Sequence, residues 1–143
     1  MSLQKLGYDG ASPKERGHIN YGSVSSGAKS AIYDVSGIDS MSVQVTSGGT
    51  LAATITVLAS NSFIPASGQD LSDSTSTANR AGSFVDITSR VTGITNPTGS
   101  GGDCMIEINA AGLIGFAFVK VTFTRTGGSG QLDFYASGKA VSR

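Results

Sequence analysis

Residues 116–139 read FAFVKVTFTRTGGSGQLDFYASGK. In an extended chain, Ala117, Val119, Val121 and Phe123 fall on one side and Lys120, Thr122 and Thr124 on the other. A repeat of two is the mark of a strand with one wet face. TGGSG then turns the chain, and Leu132, Phe134 and Ala136 resume the apolar side. The expected unit is a hairpin of two strands. Each large side chain contributes roughly 1.5–3 kcal/mol once buried. A single sheet would leave that face in water, so a second layer must cover it. The segment therefore calls for a two-layer antiparallel β-sandwich.

The same pattern extends outward from this segment. Residues 40–46 set Met41, Val43 and Val45 against serine, glutamine and threonine, and residues 51–60 place Leu51, Ala53, Ile55, Val57 and Ala59 on one face. The intervening SGGT predicts a hairpin between these two strands. Residues 29–35 align Ala31, Tyr33 and Val35, and residues 104–109 align Cys104, Ile106 and Ile108. Residues 83–88 read as a further strand, 20–25 give a weaker strand signal, and 91–95 form a looser stretch. Residues 61–82 and 96–103 are rich in loop formers and too long for simple hairpins. No stretch of ten residues has apolar spacing of three and four, so little or no helix is expected. About eight short strands with uneven loops indicate a jelly roll or a related Greek key rather than an up-and-down barrel. Residues 1–19 lack either period and hold Lys5, Asp9, Lys14, Glu15 and Arg16; they read as an extended N-terminal arm, with 20–143 as one sandwich domain.

Composition narrows the class of function. The chain has 143 residues, a formal net charge of zero, 14% charged residues and 20 glycines. Without a basic excess there is little to displace counterions from phosphates, so no direct nucleic-acid partner is expected. Weak long-range repulsion between copies is compatible with self-assembly. A single cysteine, Cys104, forms no intramolecular disulfide, and no segment resembles a signal peptide or a membrane span. Synthesis in a reducing cytoplasm is the expectation.

Residues able to do chemistry are sparse. His18 is the sole histidine and falls in the irregular arm, where nothing is expected to orient its ring; no G-x-S-x-G elbow occurs. Cys104 shares a strand face with Ile106 and Ile108 and reads as a core residue. Asp70 and Asp73 match no calcium loop, and Asp103, Glu107 and Asp133 are separated in sequence. The glycine runs fit neither a phosphate loop nor a dinucleotide fingerprint. No enzyme, metal or cofactor is expected. Contact with partners is assigned instead to Leu3, Leu6 and Tyr8 in the arm, to Phe63, Ile64 and Leu71 near the long loop, and to Tyr135, which lies opposite Leu132 and Phe134. Phe63, Ile64 and Leu71 have the alternative of folding back on the core.

TVLASNSF (56–63) followed by SFVDIT (83–88), together with the closing segment 116–139, resembles small β-sandwich structural proteins of tailed bacteriophages: capsid decoration or cement proteins and fibre modules. Phe84 stands where that pattern has tryptophan, and some twenty residues are inserted between the paired strands. The resemblance implies a non-enzymatic virion protein, made in the bacterial host without a signal peptide. It would stabilise a capsid as a homo-oligomer, a trimer for instance, through contacts with itself and the major capsid protein. The alternative is a receptor- or carbohydrate-binding module of a phage tail or bacterial surface.

Overall fold

A computed structural model describes residues 2–5, 16–35, 37–63, 83–108 and 114–139. Nine strands run through it: β1 (Ser2–Lys5), β2 (Arg16–Val24), β3 (Ala28–Asp34), β4 (Ser40–Ser47), β5 (Ala52–Ser60), β6 (Val85–Asp86), β7 (Gly102–Ile108), β8 (Phe118–Gly127) and β9 (Gly130–Lys139). Among the described residues the only helical turn is 3-10, at Thr88–Arg90, and no helix is long and apolar enough to cross a membrane.

The strands form two sheets, ordered β1-β3-β8-β5-β6 and β2-β9-β4-β7. Every pairing is antiparallel except that of β1 with β3, which is parallel. The pairs β2·β9, β3·β8, β4·β7 and β5·β6 are those of a chain folded back on itself once, at the β5–β6 connection. Rolling that long ribbon splits it between two layers and adds the pairs β9·β4 and β8·β5. The protein is an eight-strand jelly roll with β1 appended at one edge.

The inward faces are those given by alternation. Val119, Val121, Phe123, Leu132 and Phe134 are wholly buried, and Ala31, Tyr33, Val43, Leu51, Val57 and Ile106 join them in one core between the sheets. Cys104 is buried with Ile106 and Ile108, as their shared face requires.

The expected hairpins are corrected. β4 and β5 lie in different sheets, as do β8 and β9, so SGGT and TGGSG are corners between layers rather than hairpin turns. The corners interlock: Gly48 N donates to Gln131 O at 2.9 Å and Thr50 N to Ser129 O at 2.8 Å. Gly128, at φ 70°, lies so close that a Cβ there would stand 1.8 Å from the Thr50 carbonyl oxygen. Only glycine meets both demands.

The arm also differs from its expected extent. β2 begins at Arg16, and Ser2–Lys5 forms β1, in register with residues 31–34. The helical turn that follows β6 shortens the strand expected over 83–88, and 91–95 contributes only a bridge between Thr92 and Glu107.

Candidate binding face

The outer face of the four-stranded sheet carries polar side chains together with two exposed large hydrophobic ones, Met105 and Tyr135. Alternation turns His18 and Asn20 of β2 outward, with Asp133, Tyr135, Ser137 and Lys139 of β9. β4 adds Ser42, Gln44 and Thr46, and β7 adds Asp103, Met105 and Glu107. Register aligns these residues in rows across the sheet. One row is His18–Tyr135–Gln44–Met105; on one side of it lies Asn20–Asp133–Thr46–Asp103, and on the other Ser137–Ser42–Glu107.

A bulge sets the first row. Register shifts between Asn20 and Gly22, where Gly22 has φ 68° and its N–H donates to Asn20 Oδ1 at 2.6 Å. The extra residue, Tyr21, turns inward and meets the Phe134 ring edge-on at 5.4 Å, and its hydroxyl donates to the Ser30 carbonyl. Burial pushes the Tyr21 phenol well above the ordinary tyrosine value. Below the bulge, His18 stays in register with Tyr135. Their rings stack at 4.3 Å with planes 2° apart, and His18 Nε2 donates to Asp133 Oδ1 at 2.9 Å. The expectation that nothing orients His18 is thereby overturned: the ring is clamped by a stack on one side and a carboxylate on the other.

Tyr135 is 42% exposed and Met105 47%. Beside Met105 opens a groove of about 380 Å³, lined also by Ser40, Ser42, Glu107, Ser137 and Lys139. Asp103 and Asp133 both lie opposite Thr46, on either side of it, so acids separated in sequence share one face.

Of the remaining expected contact residues, Leu3 and Phe63 fall within the described residues. Phe63 is buried on the outer side of the other sheet, with Ile32, Phe84 and Phe118, in a cluster separate from the core between the sheets. Its N–H donates to Ser60 Oγ at 2.9 Å, and its ring lies 5.1 Å from Phe118 and 5.3 Å from Phe84. Lys120 sits over Phe84. Leu3 pairs through its backbone with Ile32. Leu6, Tyr8, Ile64 and Leu71, like Asp70 and Asp73, lie outside the described residues. Among the described residues no group of three His, Cys, Asp or Glu side chains is placed to hold a metal. A second groove, of about 420 Å³, runs beside β6 between Asn61, Val85, Arg90 and Phe116.

Comparison of the chain with protein-family models, curated proteins and solved structures returns no match.

Proposed function

We propose that the protein is a non-enzymatic structural component of a bacteriophage virion, which decorates and stabilises the capsid through symmetric self-association and contacts with the major capsid protein. The observation that carries this reading is β1. Ser2–Lys5 lies outside the eight-strand roll and is joined to it by a single parallel ladder on β3. The ladder of a neighbouring copy offers the same hydrogen bonds, so an arm of this kind suits exchange between subunits. The rest of the chain supports the same role. A core closed between two sheets makes a stiff body, zero net charge lets copies approach one another, and a repeating lattice multiplies individually weak contacts.

The test is the mass of the protein in solution, measured by light scattering for the full chain and for a chain lacking residues 1–15. The full chain is expected as a closed oligomer, with a trimer as the first expectation, and the shortened chain as a smaller species. A strict monomer at high protein concentration overturns the reading.

A further inference from the structure

We infer that the groove beside β6 binds a small aliphatic carboxylate, with its chain against Val85 and Phe116 and its charged end on Arg90. The inference goes beyond the capsid reading and does not rest on it, because it uses neither β1 nor self-association.

The apolar side of the groove is a gap in the cover of the core. Val85 pairs with Ala59, and residues directly opposite in a ladder point to the same side of the sheet. Ala59 belongs to the core between the sheets, so Val85 is turned toward the four-stranded sheet as well. Yet Val85 is 62% exposed, more than any other large hydrophobic side chain described. The inner side of the five-stranded sheet is therefore uncovered at this edge. The opening holds about 420 Å³ beside Ala59, Ile87 and Phe116, which belong to the core or pack against it. That volume is in the size range of small-molecule sites. An apolar chain laid there extends the core and takes Val85 out of water.

The polar side offers donors. Ser60 Oγ accepts from Ser62 N at 3.1 Å and from Phe63 N at 2.9 Å. Ser62 Oγ accepts from Ser83 N at 3.0 Å and donates to the Ser83 carbonyl at 3.4 Å. Asn61 Oδ1 accepts from Ala117 N at 2.9 Å. The side-chain groups left over are the Arg90 guanidinium and the Asn61 amide nitrogen, which only donate, and the Ser83 hydroxyl, which is able to. Among the described residues no acid lines the groove, and Arg90 has no ion pair. Asp86, the nearest acid in sequence, accepts from Thr88 N at 2.8 Å instead. A carboxylate is an acceptor only, it matches the fork of a guanidinium, and it supplies the missing counter-charge. A neutral or cationic head group does not.

The experiment is titration calorimetry on the full chain with octanoate, compared with octanamide, acetate and octylamine. Saturable binding of octanoate is expected at millimolar concentration. Octanamide lacks the charge and acetate the chain, so each should bind about tenfold more weakly or worse, and octylamine should not bind. Arg90→Gln and Val85→Asp, both at exposed positions, should each weaken octanoate about tenfold or more with the thermal midpoint of the free protein unchanged. Arg90→Gln carries the test if Val85→Asp unfolds. Glu107→Gln, on the outer face of the other sheet, should bind as the parent does. No octanoate binding, equal binding of octanamide, or an affinity untouched by Arg90→Gln overturns the inference. So does tighter binding of a short peptide acid ending in leucine, which would make the ligand a protein terminus. An oligomer that ignores octanoate defeats this inference alone, and a monomer that binds it defeats the capsid reading alone.

Discussion

Tyr33 sits in the core with no exposed surface, and its hydroxyl has no hydrogen-bond partner among the described residues. Burial, with Tyr21 nearby as a second cause, pushes its phenol far above the ordinary value. A buried hydroxyl without a partner forgoes about 1–3 kcal/mol of hydration. Tyr33→Phe removes the oxygen and keeps the ring. The variant should match the parent or exceed it by up to about 2 kcal/mol in urea unfolding. A loss larger than about 1 kcal/mol would mean that the hydroxyl is satisfied in solution. Single residues were unevenly legible in the sequence. Tyr135 could be placed on the outer face because Leu132, Phe134 and Ala136 set the phase around it. His18 could not, because the bulge at Tyr21 and Gly22 breaks the alternation that would have revealed a strand. Asp133 is 115 residues away from it in the chain, and only the β2·β9 register brings the two together.

At the level of elements, the outer edge of β5 is closed by the chain that follows β6. β6 itself covers only Leu58 and Ala59. Beyond it, Val57 N donates to Thr88 Oγ1 at 3.0 Å, Ile55 N to Asn96 Oδ1 at 2.9 Å and Ala53 N to the Pro97 carbonyl at 3.0 Å. Two side chains and one carbonyl thus stand in for a strand, and this edge offers little for another chain to pair with. Asn96→Ala leaves the Ile55 N–H without its acceptor, beside a buried side chain. It should cost about 1–3 kcal/mol in chemical unfolding; a change below about 0.3 kcal/mol would show that water replaces the amide fully. None of this closure has a periodic signature, because an asparagine that caps an edge looks in sequence like any loop asparagine. The pairing of strands was hidden for a related reason. Alternation at 40–46 and 51–60 shows which side of each strand is buried, and that side is the same whether the two strands share a sheet or face each other across the core. The tight glycine corners, read as hairpin turns, serve the second arrangement.

At the scale of the molecule, β8 lies between β3 and β5, and β9 lies between β2 and β4. The last two strands are therefore interior to both sheets. Without them β2 has no partner and β3 keeps only β1. A chain ending at residue 115 should show no cooperative melt, and adding a separate peptide of residues 116–143 should restore one, followed by circular dichroism. A cooperative melt of the shortened chain alone would contradict the central position of these strands. The two-layer architecture was legible in the sequence because burial on one side of many strands demands a facing layer. The roll was not, because it depends on which distant segments meet. Its nesting carries a cost during synthesis. As the polypeptide emerges from the ribosome, β2 to β7 appear with the middle of each sheet still missing, and their apolar sides stay uncovered until residue 139 is free. Nascent chains of this protein must therefore be shielded, or made quickly, up to nearly the last codon of the fold.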